Sequence, residues 1–348
     1  MYFCTSLAYR AMPFVKELLN YRSLSIVGLE KNTGKTVCLN YILRRLNQLG
    51  VPCAVTSIGV DGEQVDAVFG SAKPEVTLYD GTLFITSEKH YRLRRLVSQI
   101  EAVDTRRTAL GRMVTARVVV GGKALLSGAA STPLLREQID RFVSQGVPLT
   151  IVDGALSRLS LASPTVTDAM VMATGAAVSV SLPQLVARTR FACSLIQLDE
   201  VDGALRSSLS QCGAGLWAVD DEGGVHDLHI ASALMLNQNS ADIFAYGNTL
   251  FAAGAVTDRL VKHLSARQDN GGTLLIVRDF TKLFISPETL RHFYSCGGSL
   301  RVLNGSRLVA VCLNPTSPQG FTLNSDEACH AVSEAIGLPV YDVMRQPF

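Results

Sequence analysis

The stretch Leu24-Ser25-Ile26-Val27-Gly28-Leu29-Glu30-Lys31-Asn32-Thr33-Gly34-Lys35-Thr36 decides how this chain is read. Its first four residues are an apolar run, as a buried strand requires. Beyond Thr36 the spacing turns helical, with Leu39, Ile42, Leu43, Leu46 and Leu49 on one face and Arg44, Arg45, Asn47 and Gln48 on the other. Strand, glycine-bearing loop and helix is the context of a phosphate-binding loop. Loop N–H groups and the helix N-terminus there present partial positive charge to a polyphosphate. Lys35 is expected to reach the β- and γ-phosphates and Thr36 to help hold Mg²⁺. The consensus glycine, five places before Gly34, falls on Leu29, and Gly28 lies one place early. Leu29 must therefore avoid positive φ, where a β-carbon is costly.

Working outward, the first half repeats strand-then-helix units, which predicts an α/β fold with a mainly parallel sheet and helices on both faces. A strand over Pro52–Ile58 runs into Gly59-Val60-Asp61-Gly62-Glu63. Thr82–Thr86 reads as a short strand, Tyr91–Arg117 as an arginine-rich helix with an exposed return, and Arg117–Gly122 as a buried strand. Thr132–Gln145 has helical spacing. The apolar segment Val147–Val152 then ends in Asp153-Gly154, which resembles a Walker B segment. Such a strand would carry Asp153 to the carboxyl edge of the sheet, beside the phosphate loop, to hold Mg²⁺; the bland alternative is a turn-capping Asp-Gly. Asp61 and Glu63 are rivals or partners for the metal.

Another strand spans Asp168–Gly175 and a helix Leu182–Leu198. The acidic and Gly/Ser-rich run Asp199–Gly215 marks the expected lobe boundary, with a nucleotide-binding half at 1–205 and a second α/β half at 206–348, the two sharing one sheet or not. In that second half Asn304-Gly305 reads as a tight hairpin, and Ser325 as the N-cap of a last helix.

At 348 residues, with 47% apolar and 18% charged residues, the chain suits a well-buried α/β protein. A net charge of +2 points to neither nucleic acid nor an anionic membrane as partner. No apolar run reaches the roughly 20 residues a membrane span needs, and the first residues lack the pattern of a signal peptide. Eight cysteines without a Cys-x-x-Cys pair, several inside apolar patterns, read as free thiols in a cytoplasmic protein. His226-x-x-His229 has no third ligand nearby in sequence, so a packing role is preferred to zinc.

Three segments together are similar to one family: Ile26–Thr36; Val152-Asp153-Gly154-Ala155-Leu156-Ser157-Arg158 with Ser160–Pro164; and Asn314-Pro315-Thr316-Ser317-Pro318. The chain resembles the P-loop subunit of lysine 5,6-aminomutase reactivase, and Ala173-Thr174-Gly175-Ala176-Ala177-Val178-Ser179 strengthens the likeness. The resemblance implies a P-loop NTPase-like fold and an ATP-driven repair factor. Such a factor opens an adenosylcobalamin-dependent lysine 5,6-aminomutase, so that damaged cobalamin is exchanged for intact coenzyme. The mutase and a second reactivase ATPase subunit are the partners it implies. Lys35 and Asp153 are the expected catalytic residues. Glu30, Lys31, Asn32, Thr33, Gly34, Lys35, Thr36, Asn314 and Pro315 are expected to bind ATP, and Thr36, Asp153, Asp61 and Glu63 to hold Mg²⁺. Arg158 is a candidate switch residue, although a surface salt bridge is the preferred role.

Two other functions fit parts of the pattern. An ATP-dependent ligase of the dethiobiotin synthetase type shares a variant phosphate loop with acidic strand ends; the amidotransferase version would need a nucleophilic elbow that the second half lacks. A GTP-binding metallochaperone would be expected to carry an Asn-Lys-x-Asp stretch, whereas the matching strand end reads Asn314-Pro315-Thr316-Ser317, without the acid. Adenine is therefore favoured over guanine.

Overall fold

The computed structural model describes residues 14–58, 75–129, 131–154, 163–235, 243–266 and 272–345. Asp61, Glu63 and Arg158 lie outside the described residues. From the N-terminal side the elements are α1 (Val15–Leu18), β1 (Ser23–Gly28), α2 (Lys35–Gln48), β2 (Ala54–Ser57), β3 (Val76–Leu78) and β4 (Leu83–Ser87). There follow α3 (Glu88–Arg92), β5 (Arg95–Thr108), β6 (Gly111–Ala124), α4 (Thr132–Ser144), β7 (Thr150–Asp153), β8 (Ala169–Gly175) and α5 (Leu182–Ile196). The chain divides into two compact units, 1–190 with 307–348, and 191–306.

The second unit holds α6 (Gly203–Ser210), β9 (Leu216–Val219), β10 (Val225–Ile230), β11 (Thr249–Ala252), β12 (Val256–Thr257) and α7 (Asp258–Ser265). It continues with β13 (Leu274–Val277), β14 (Leu283–Phe284), α8 (Pro287–Ser295) and β15 (Ser299–Val302). Its sheet runs β10-β9-β11-β13-β15, with β11, β13 and β15 parallel and β9 antiparallel to both neighbours. Phe251, Ile276, Val219 and Leu209 fill its core.

The chain then returns to the first unit through β16 (Leu308–Asn314), α9 (Ser325–Ile336) and β17 (Val340–Tyr341). The first unit is built on a ten-stranded sheet in the order β17-β16-β8-β1-β7-β2-β4-β6-β3, with β5 paired to β6. All strands from β17 to β4 run parallel, and β6 turns antiparallel against β4. Alternate residues of one strand feed two cores, as the pleat dictates. Leu24, Ile26 and Ile151 pack with Leu39, Ile42 and Leu46 of α2, while Val152 joins Leu135 and Ile139 of α4. Helices thus cover both faces of a large, mostly parallel sheet. Burying each such Leu or Ile of α2 is worth about 1.5–3 kcal/mol, so the helix that follows the loop is firmly seated.

Several expectations need correction. The lobes do not divide at residue 205, because β16 pairs with β8 and takes the last forty or so residues back into the first sheet. Asn304-Gly305 is not a hairpin: β15 pairs β13 and β16 pairs β8, each in its own sheet. The stretch expected as a helix from Tyr91 is not helical beyond Arg92, where α3 ends. β5 and β6 form a long antiparallel ribbon whose turn uses Gly111 at φ 90°. Four register shifts along β5 break the alternation that would have marked it as a strand. Arg95, Arg106, Arg112 and Arg117 are engaged in ion pairs, among them Arg106–Asp104 at 2.9 Å and Arg112–Glu88 at 2.8 Å. Within β6, Val118 is buried but Val119 and Val120 are exposed. Arg45, expected outward, is buried; its guanidinium lies 5.2 Å from the Tyr41 ring centre and donates to Gln48 Oε1 at 2.9 Å. The cap of α9 is Asn324, not Ser325, its Oδ1 accepting from the Asp326 and Glu327 N–H groups.

Among the described residues no helix is long and apolar enough to cross a membrane. All seven described cysteines are free thiols.

Candidate nucleotide site

β1 is buried throughout and ends at Gly28, where the chain must turn sharply off the sheet edge. The turn is tight. A β-carbon on Gly28 would sit 2.4 Å from Thr33 Oγ1 and 3.0 Å from Lys35 Cγ. Gly28 is therefore required by close approach, letting the loop and the stem of Lys35 fold back over the strand end. Leu29, standing at the consensus glycine position, keeps out of positive φ, which falls instead on Asn32 at 62° and Gly34 at 91°. Asn tolerates that conformation better than most side chains. Leu29 N–H donates to Ala173 O at 3.0 Å, pinning the loop to β8, and Thr33 Oγ1 donates to Glu30 O at 3.0 Å.

α2 starts at Lys35 with Gly34 as its cap, so no side chain caps its N-terminus, and its first turn carries no acid. Its N-terminal N–H groups and the loop together form a concentration of backbone donors at the carboxyl edge of a parallel sheet. Strand order supplies an acid beside it. β7 lies directly next to β1, with Asp153 in register with Ile26 on one side and Ser57 on the other. Gly154 N–H donates to Ile26 O at 3.1 Å and Ser57 Oγ donates to Asp153 O at 3.1 Å, which fixes the backbone on both flanks of Asp153. The carboxylate is half-buried.

Burial holds the Lys35 ammonium below the ordinary lysine pKa; the Asp153 carboxylate pulls it back up and the Lys31 charge pushes it further down. Lys35 is thus a desolvated cation in electrostatic reach of Asp153, the arrangement that rewards an added anion. Asn314, at the end of β16, reaches the other side of the loop: its Nδ2 donates to Asn32 O at 3.4 Å, and its Cβ would lie 3.0 Å from a β-carbon on Gly34. Its Oδ1 accepts from the Thr316 N–H at 3.2 Å. Pro315 follows at the same strand end, and its carbonyl accepts from Leu323 N–H at 2.9 Å.

Glu30, Lys31, Asn32, Thr33, Gly34, Lys35, Thr36, Asp153, Asn314 and Pro315 thus gather at the carboxyl ends of β1, β7 and β16. Their roles differ. Glu30 extends its carboxylate to Arg188 Nη2 at 2.7 Å, and Thr33 is buried with its hydroxyl turned into the loop. Both shape the loop through side-chain contacts of their own. Lys31 is exposed and Thr36 half-buried.

Two residues escaped the sequence reading. Ser57 braces Asp153, and Arg188, on α5, ties Glu30 to Val178 O, which it reaches at 2.6 Å. Ser57 was legible in principle, as the last residue of an apolar strand. Arg188 stands more than 150 residues from Glu30 in a helix with no motif, so only the folded chain brings the two together.

Neither family models, curated proteins nor solved structures yield a match to this chain. The site therefore rests on its own geometry. A loop rich in N–H donors, a desolvated lysine, a hydroxyl at Thr36 and a carboxylate on the adjacent strand together suit a polyphosphate with a divalent cation. Among the described residues no group of three or more His, Cys, Asp or Glu side chains that could hold a metal ion occurs, and Asp153 is the one such residue of β7, the strand beside β1. His226 pairs with Asp220 at 2.6 Å and stacks on Tyr246, while His229 is exposed.

Proposed function

We propose that this chain binds ATP with Mg²⁺ at the carboxyl edge of its large sheet. We propose further that it is the ATP-binding subunit of a cytoplasmic reactivase for adenosylcobalamin-dependent lysine 5,6-aminomutase, working with a second ATPase subunit. The observation that carries nucleotide binding is the placement of Lys35, folded over Gly28 and in electrostatic reach of Asp153, at the uncapped start of α2. The likeness of Ile26–Thr36, Val152–Arg158 and Asn314–Pro318 to the reactivase subunit supports the finer assignment.

On this reading the N–H groups of the loop and of the first turn of α2 bind the phosphates. Lys35 gives the charge-assisted contact, and Thr36 and Asp153 are the residues that would hold Mg²⁺. Mg²⁺ supplies neutralisation of phosphate charge when bound. Ser57 and the Gly154 N–H keep Asp153 oriented. Asn314 braces the loop from the far side and, with Pro315, faces the remainder of the nucleotide. The loop is then the element whose order depends on the nucleotide, and so the natural means of signalling to a partner.

The test is reactivation. Cobalamin-inactivated lysine 5,6-aminomutase is incubated with both subunits, Mg–ATP and fresh adenosylcobalamin. Activity is expected to return, and not to return without ATP or with the Lys35→Ala protein. Equal recovery without ATP sinks the reactivase reading. Free ATP turnover by this chain alone, on addition of a small carboxylic acid, would favour a ligase instead.

A further inference from the structure

Cys38 and Cys312 meet next to the loop. Cys38 lies in the first turn of α2, its N–H bonded to Gly34 O at 2.9 Å; Cys312 lies on β16, two residues before Asn314. Their sulfurs are 3.3 Å apart and share an S–H···S hydrogen bond, and both side chains are buried. This contact joins the helix that begins at Lys35 to the strand whose end braces Asn32 and Gly34. Nothing in the site described above uses either thiol. Two thiols in contact differ from a pair of inert core cysteines, because only about 1.2 Å of closure separates them from the S–S bond length of about 2.05 Å.

We infer that Cys38 and Cys312 form a reversible disulfide when the chain meets a hydroperoxide, and that this bond ties the first turn of α2 to β16. The chemistry balances with the peroxide as two-electron oxidant. One thiol, as thiolate, attacks a peroxide oxygen; the O–O bond breaks, and a sulfenic acid forms as water or an alcohol departs with the released proton. The second sulfur attacks the sulfenic sulfur, the S–S bond forms, and water leaves with the second proton. Both sulfurs are oxidised by one electron each and the peroxide is reduced. The bond to Cys38 and burial push the Cys312 thiol up, so the reaction waits on local opening and is slower than at an exposed cysteine.

The consequence for nucleotide rests on the function proposed above. The sulfurs must close by about 1.2 Å, and a first turn of α2 that takes up half of this or more moves beyond the roughly 0.5 Å window of N–H···O distances. N–H groups placed to bind phosphate in the reduced chain are then misplaced in the oxidised one. Loss of one charge-assisted contact lowers Mg–ATP affinity roughly tenfold.

The experiment treats the native full chain with hydrogen peroxide, blocks the remaining thiols by alkylation and maps peptides by mass spectrometry. Exposed Cys296 is the internal control for peroxide reactivity. The expected result is a linked peptide pair containing Cys38 and Cys312, released by dithiothreitol and absent from the Cys312→Ala protein. Mg–ATP affinity should fall roughly tenfold on oxidation of the wild type and stay constant in Cys312→Ala. Recovery of both thiols as alkylated cysteines, while Cys296 has been oxidised, overturns the inference. A disulfide that forms without altering ATP affinity, or in a chain that binds no ATP in either state, overturns the coupling to nucleotide. The second of those outcomes removes the proposed function as well.

Discussion

Replacing Gly28 by alanine tests the loop geometry directly. The new β-carbon would stand 2.4 Å from Thr33 Oγ1 and 3.0 and 3.2 Å from Lys35 Cγ and Cδ. Ordinary van der Waals contact lies near 3.5 Å, so the Thr33 hydroxyl must retreat by about 1 Å and the lysine stem by about half that. Thr33 is buried and cannot swing into water. It therefore loses the 3.0 Å bond to Glu30 O, worth about 1 kcal/mol, and overpacking adds about 1–3 kcal/mol. The sum, roughly 2–4 kcal/mol, corresponds to a fall in Tm of about 4–16 °C for a unit of this size. Displacing Lys35 should also weaken Mg–ATP binding by at least about tenfold. Thermal unfolding and calorimetric titration read the two effects. The control is Gly203→Ala at the start of α6, where nothing lies within 4 Å of the added carbon, so stability is expected to stay level or rise by up to about 1 kcal/mol. A Gly28→Ala protein with wild-type Tm and wild-type ATP affinity would refute the folded-back loop.

Lys35→Met should abolish ATP binding yet raise the Tm of the ligand-free protein at neutral pH. The folded pKa of Lys35 is lowered chiefly by burial, so its charge destabilises the fold below that pKa. The penalty fades as pH rises towards the unfolded lysine value of about 10.4, and the advantage of Lys35→Met should fade with it; a pH series of melting curves shows whether it does. Asp153→Asn keeps the size and the backbone bonds of the residue, so the fold should survive. The Mg²⁺ dependence of ATP binding should weaken by about tenfold or more; an unchanged Mg²⁺ titration would pass the metal to other acids. Asn324→Ala removes the acceptor for two N–H groups at the start of α9 and should cost about 1 kcal/mol by urea unfolding.

The local sequence alone determined the elements that carry the site. An apolar run, a glycine-bearing loop and a helical stripe over Leu39, Ile42 and Leu46 can form little else than strand, turn and helix, because each signal is short-range. The run ending at Asp153 and the stripe of α4 were legible for the same reason. Tertiary structure decided which strand ends became neighbours. That β7 rather than β2 or β4 lies beside β1, so that Asp153 faces the loop, depends on hydrogen-bond pairing between segments over a hundred residues apart. The same holds for β16, which carries Asn314 and Cys312 to the loop after an intervening unit of more than a hundred residues. It holds for Arg188, whose partner Glu30 no periodicity could indicate. Where sequence reading failed, a non-local effect overrode the local signal. Bulges hid the alternation of β5, an aromatic ring gave Arg45 a buried berth, and sheet pairing drew Asn304-Gly305 away from a hairpin. Local chemistry thus specified the parts of the site, while the strand order, settled only when distant apolar faces were buried together, brought them to one edge.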